Sequence, residues 1–352
     1  MQKRILAGCD LHDKSMLVCV RIANGEVQKR TFPNTATGRK ALVKWLLGMG
    51  DKESIVLAYE ASCLGFGLYD ELEAVGILCH VLAPSRIERS AQQRMNKTDE
   101  KDARQILNVL RGHYLAGNPL PAIWIPDHAT RDDRELLRAR MTTQTECSRV
   151  KTRIRTLLKR NHITRPEGSG AGWTKPYREW LKALSECDAP LGPGARSALS
   201  SLLRQMDVLE EEVNAMDKKV EVLGKTKRYH KRAEALMALA GVGWLTALVF
   251  LTEIGDLKRF QNRRQLGAFL GLTPSAHESG EANDRKGRIT RQGPARVRHV
   301  LCQAAWNHVR VDPHARAVYE RIATKNPKRK KKALVATMRR LAIRMWHAAS
   351  AA

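Results

Sequence analysis

The sequence predicts an α/β domain at its N-terminus and a long, mostly helical remainder. Three observations carry this. Apolar strand-like runs alternate with helical periods up to about residue 111. A repeat with steps of four and three runs from Leu202 to Leu223. Two apolar helical stretches flank Gly241-Val242-Gly243.

The elements follow in order. ILAGCDL (5–11) is a buried run, HDKS a turn, and MLVCVRI (16–22) a second strand. GEVQKRTF (25–32) makes a third. TATGRKALVKWLLGMG is a helix with Leu42, Trp45, Leu46 and Met49 on one face. SIVLAYEAS (54–62) carries a fourth strand that ends at Glu60, and GLYDELEAVG a helix closed by Gly76. ILCHVLAP (77–84) is a fifth strand, stopped by Pro84, and a helix follows from about Lys101 to Arg111. The order β-β-β-α-β-α-β-α is that of a ribonuclease-H-like fold, which licenses a site but not a function. There the first and fourth strands are neighbours, so Asp10, Glu60, Asp99 and Asp102 are expected to converge. Asp99 and Asp102 lie within KTDEKDA (97–103) and have two readings. Acids suit a helix N-terminus, and paired carboxylates suit a metal ion. His12 and Asp13 fall in the hairpin turn and are not assigned as ligands.

Residues 113–130 are rich in Pro and Gly and read as a linker. Helix is expected from Arg131 to Asn161, then loops at RPEGSGAGWTKP and DAPLGPGA. Leu202, Met206, Leu209, Val213, Met216, Val220 and Leu223 form a coiled-coil seam. The middle is an antiparallel helical hairpin or a buried three-helix bundle. Gly241 and Gly243 make a tight turn before a helix, as in a helix-hairpin-helix that grips a nucleic-acid backbone. An ordinary αα-corner uses glycine for the same steric reason. Residues 275–293 are a long polar loop with Ser275, Ser279, Arg285, Lys286, Arg288 and Arg291. A serine beside arginines can attack a phosphodiester, although many loop serines only bond the backbone. KRKKK, with Lys330 and Lys331, runs into an amphipathic helix (Leu334, Met338, Leu341, Met345) that suits nucleic acid. The expected domains are therefore 1–125, 126–232 and 233–352.

Composition narrows the partners. A net charge of +26 over 352 residues, with 43% apolar residues, describes a globular chain that meets a polyanion. Seven scattered cysteines without a C-x-x-C pair point to reduced thiols in a cytoplasm, and away from zinc. The N-terminus turns charged too soon for a signal peptide. The apolar stretch at 236–251 is too short to span a bilayer, so no membrane is expected.

Together, a strand ending in Asp10, "YEAS" with Glu60, "KTDEKDA" with Asp99 and Asp102, and a late "GLTPSAHESG…KGRITRQG" resemble the DEDD transposases of the IS 110 and IS 1111 insertion sequences. The resemblance covers nearly the whole chain in the right order. It implies a RuvC-like N-terminal domain, a coiled-coil linker and a C-terminal transposase domain. It implies a site-specific DNA recombinase acting on double-stranded donor and target DNA, guided by a structured noncoding bridge RNA. Asp10, Glu60, Asp99 and Asp102 would bind Mg²⁺ or Mn²⁺, and Ser279 would form a phosphoserine link to DNA. A tetramer assembled through the coiled coils is implied, within a bacterial cytoplasm at the nucleoid. The loop departs from the Ser-Ser-Gly-Gly run of many relatives, reading Glu278-Ser279-Gly280-Glu281, so Ser275 stays a second candidate.

Two other functions compete. A metal-dependent endonuclease of the Holliday-junction type would use the four acids to activate water. A nonenzymatic RNA-binding protein would use the basic helices and leave the acids unexplained.

Overall fold

The computed structural model describes residues 4–23, 25–88, 98–276, 286–324 and 329–352. They form two compact units, Met1–Ile125 and Pro126–Ala352.

The first unit is a five-stranded sheet of β1 (Ile5–Leu11), β2 (Ser15–Ile22), β3 (Val27–Pro33), β4 (Ile55–Glu60) and β5 (Leu78–Leu82). The strand order is β3-β2-β1-β4-β5, with β1, β4 and β5 parallel and the first three strands a meander. Helices α1 (Ala36–Leu47) and α2 (Gly67–Val75) cover one face, and α3 (Asp99–Ala116) covers the other. Alternation along each strand divides the side chains. Ile5, Ala7, Cys9, Leu57 and Tyr59 meet Leu42, Leu46, Leu68 and Leu72 on the first face. Leu6, Val56 and Ala58 meet Ala103, Ile106, Leu107 and Leu110 on the second. Each fully buried leucine contributes roughly 1.5–3 kcal/mol.

Helix α3 is longer than expected at both ends. Thr98 caps it by accepting from the Lys101 amide at 3.3 Å, and Gly117 ends it at φ 74°. The expected linker therefore starts at residue 117, and its Ala122 bridges to Leu82 on β5.

The second unit is built on α4 (His128–Arg160) and α6 (Pro193–Gly224), joined through α5 (Lys175–Glu186). The long pair is antiparallel: Arg140 holds Asp217 at 2.7 Å, and Lys151 holds Glu210 at 2.6 Å. Arg178 of α5 clamps the same Glu210, so the middle is a hairpin with a third helix packed on one end. The seam faces α4 in part. Met206, Val213 and Val220 are buried, and Thr143 of α4 approaches the Met216 sulfur at 3.9 Å. Leu202, Leu209, Met216 and Leu223 of the same repeat are half-buried.

The remainder holds α7 (His230–Met237), α8 (Trp244–Ile254), α9 (Arg263–Phe269), the strands β6 (Pro274–Ala276) and β7 (Lys286–Ile289), α10 (Ala295–Val311), α11 (Pro313–Ala323) and α12 (Lys330–Ala351). Leu334, Met338, Leu341 and Met345 of α12 lie in its core, and Lys331, Lys332, Arg340 and Arg344 of that helix are exposed.

Candidate active site

Strand β1 pairs in parallel with β4 through Cys9 and Tyr59, so Asp10 and Glu60 follow side by side at the carboxyl ends of adjacent strands. This is where α/β sheets place ligands. Helix α3 crosses directly over β1. A Cβ on Gly8 would stand 2.3 Å from the Ala103 oxygen and 2.4 Å from the Leu107 nitrogen. Only glycine admits the helix at that distance, and the approach sets Asp99 and Asp102, in the first turn of α3, beside Asp10.

The carboxylates meet through a histidine. His12 Nε2 lies 3.0 Å from Asp10 Oδ2 and 3.4 Å from Asp99 Oδ1. Donor atoms of Asp10, His12 and Asp99 all fall within 4.8 Å of one another. Burial holds the Asp10 carboxyl above its usual range, His12 pulls it back, and the charges of Asp102 and Asp99 raise it again. Asp102 is itself buried, one turn along from Asp99. Glu60 is half-buried and lies outside the tight group. Glu100, between the two aspartates, turns to Lys29 at 2.7 Å and Arg104 at 3.0 Å, so it serves the fold.

The polar loop of the second unit stands on β6 and β7, an antiparallel pair. Ser279 and Arg285 lie outside the described residues, as does the Lys286 side chain. Ser275 donates its hydroxyl to the Arg288 carbonyl at 3.1 Å, the backbone role that many loop serines take. A clasp closes the base of this hairpin. Gly293, at φ 113°, is so close to Phe269 that a Cβ would meet its oxygen at 1.8 Å. Arg298 donates to Leu270 O at 3.1 Å and Gly293 O at 2.9 Å. The glycines of the GLTP…GRITRQG pattern thus pack backbone on backbone. Arg288 and Arg291 beside them are exposed, as are Lys330 and Lys331.

The Gly-Val-Gly turn divides its roles. Gly241, at φ 86°, faces α10, where a Cβ would sit 2.6 Å from the Ala304 oxygen. Gly243 is exposed at the start of α8, with nothing near its Cβ position.

Residues 7–163 match the family model for the IS110-type DEDD transposase, and residues 233–320 match the transposase IS116/IS110/IS902 family. A putative transposase of Sinorhizobium fredii, y4rJ, is 30% identical over 83% of this chain and 76% of its own. The chain belongs to the IS110 transposase family. A second Sinorhizobium fredii relative, putative transposase y4qE, is 34% identical over 73% of this chain but only 59% of its own length. The pilin gene-inverting protein of Moraxella bovis is 25% identical over 85% and 81% of the two chains. In this IS110-family transposase the sequence does not single out two side chains that the structure places in these arrangements. His12 looked like any turn residue, and its only signal was its position two residues after Asp10. Arg298 carried no local signal at all.

Proposed function

We propose that this IS110-family transposase is an RNA-guided DNA recombinase that exchanges strands through a phosphoserine link with divalent-metal assistance. The convergence of Asp10, His12 and Asp99 carries the reading. The strand order, that of a ribonuclease-H-like sheet, supports a RuvC-like assignment.

The residues fit an ion. Neighbouring ligands of an octahedral ion at about 2.1 Å lie about 3 Å apart, which the Asp10–His12 and His12–Asp99 separations of 3.0 and 3.4 Å approach. Asp10 and Asp99 would hold it, with Asp102 and Glu60 at its margin. Imidazole is a softer donor than carboxylate, so a site that includes His12 suits Mn²⁺ better than a purely carboxylate Mg²⁺ site. Such an ion supplies charge stabilisation at a phosphoryl oxygen. Before an ion enters, His12 Nε2 can donate to Asp10 Oδ2 at 3.0 Å; with the ion bound, that nitrogen would give up the proton and serve as a ligand. Ser279 Oγ would attack a DNA phosphorus. The Ser–phosphate bond forms, and the displaced strand oxygen departs with a proton. Attack by the hydroxyl of an incoming strand then frees the serine.

The charge of +26 supports a second polyanion, the guide RNA, beside donor and target DNA. Exposed Gly243, Arg288, Arg291, Lys330 and Lys331 supply backbone contacts. A homo-oligomer, a tetramer by family resemblance, would use the apolar surface that α6 leaves open, including the half-buried Leu202, Leu209, Met216 and Leu223. Val208 and Val222 on α6, both exposed, add to it. No described helix is long and apolar enough to cross a membrane, which suits action at a bacterial nucleoid.

A denaturing gel with labelled DNA and guide RNA tests the proposal. A protein–DNA adduct that disappears with EDTA, with Asp10→Ala and with Ser279→Ala is expected. Cleavage without an adduct would instead mean a metal-dependent endonuclease. RNA binding without cleavage would mean a nonenzymatic RNA-binding protein.

A further inference from the structure

A cavity of about 640 Å³ opens among α9, α10, α11 and α12 of the second unit. Its lining carries three arginines and one acid, Asp312. Arg340 and Arg344 stand one turn apart on α12, and Arg263 faces them from the start of α9. Like charges four residues apart on a helix repel, and only one of the pair is answered by an acid. Arg344 reaches Asp312 at 3.2 Å and the His308 ring at 3.1 Å. His308 is fixed in turn, since its Nδ1 donates to the Ala240 carbonyl at 2.8 Å. Arg263 and Arg340 have no hydrogen bond or ion pair among the described residues. Val318 of α11 and Ile343 of α12 add apolar surface to the same lining, beside the polar His314 and Thr337.

This lining is not what a backbone-gripping strip requires. Phosphates along a duplex are met by exposed cations on a ridge or a flat face, with no use for a recess lined in part by apolar side chains. A recess of several hundred Å³ whose lining mixes apolar side chains with a few charged groups is a small-molecule-sized site. Guanidinium groups recognise phosphate, and apolar walls take the face of a base. We infer that this cavity receives one unpaired nucleotide of a nucleic-acid strand, its phosphate toward Arg263 and Arg340 and its base against Val318 and Ile343. The inference deepens the recombinase reading and rests on it, because a strand-exchanging enzyme must handle unpaired nucleotides. The cavity would hold one of them while the carboxylates act elsewhere.

The test is calorimetric titration of the full chain in EDTA, so that strand cleavage plays no part. Thymidine 5′-monophosphate and uridine 5′-monophosphate are each compared with inorganic phosphate and with the unphosphorylated nucleosides. A monophosphate should bind at least ten-fold more tightly than inorganic phosphate or nucleoside, and the preferred sugar tells DNA from RNA. Arg263→Ala with Arg340→Ala should weaken it by a further ten-fold or more, whereas Lys219→Ala on α6, which removes one charge, should not. Val318→Phe, which adds bulk to that apolar surface, should also weaken it. No monophosphate binding, or equal binding by inorganic phosphate, overturns the inference on wild-type protein alone, whatever the variants' folding. Binding that is unchanged in the folded double variant overturns it too. Either failure leaves the carboxylate site untouched, whereas loss of cleavage in Asp10→Ala would not alter this titration.

Discussion

Gly8 and the Ala103 carbonyl are in backbone contact: a side-chain carbon on Gly8 would lie 2.3 Å from the Ala103 oxygen. At this one point the first strand and the third helix meet with no side chain between them. Gly8→Ala should force α3 away from β1. A loss of about 1–3 kcal/mol is expected from the overpacking, read by urea denaturation. Strand cleavage should fall further than stability alone explains, because Asp99 and Asp102 ride on the displaced helix. Unchanged stability would mean that the helix can shift freely and does not fix the site.

Asp99→Asn keeps the shape of the side chain and removes its charge. Cleavage should drop at least a hundred-fold while guide-RNA binding persists, and added Mn²⁺ should restore part of it. The same experiment on His12→Ala separates two roles. If His12 only turns Asp10, Mg²⁺ and Mn²⁺ activities should fall in parallel. If it is a ligand, the Mn²⁺ activity should fall more. Near wild-type rates in His12→Ala would remove it from the site.

Ser275→Ala deletes one bond to the Arg288 carbonyl, worth about 0.5–1.5 kcal/mol. It should slow recombination modestly and keep the covalent adduct. An adduct lost in Ser275→Ala and kept in Ser279→Ala would transfer the nucleophile to Ser275.

Arg298→Ala unties Leu270 from Gly293 at the foot of the β6–β7 hairpin. Proteolysis within residues 271–293 should become faster, and adduct formation should fall without any change in metal affinity measured at the carboxylates. If adduct yield is unchanged, the clasp is dispensable to the hairpin.

Val213→Asp places a charge in the buried interface between α4 and α6. The expected result is a lower melting temperature at constant molecular mass. A clear drop in mass by light scattering would place Val213 in an assembly contact.

Much of the first unit was legible because strands buried on both faces are written as continuous apolar runs, as in ILAGCDL and IVLAYE. Asp10, Glu60, Asp99 and Asp102 stood out because acids at strand ends and at a helix start interrupt such runs. His12 was not found, since a histidine in a tight turn carries no pattern of its own. Gly8 was hidden for a related reason: a lone glycine in an apolar strand does not say what crosses it. The heptads from Leu202 to Leu223 were read correctly as a seam, but a heptad describes a partner helix without saying which chain supplies it. Arg298 depends on contacts 28 residues away, beyond any local window.

Helices α4 and α6 belong to two separate cores. Leu137 and Val220 sit in the C-terminal core, and Val150, Ile154, Leu199 and Leu203 in the one shared with α5. Val213, although buried, belongs to neither cluster. The pair of helices is thus a splint between two units of cooperativity, and the end carrying α5 can open while the other end stays folded. Hydrogen exchange along α6 should change character near Val213, with amides on its N-terminal side released by an event that leaves those on its C-terminal side protected.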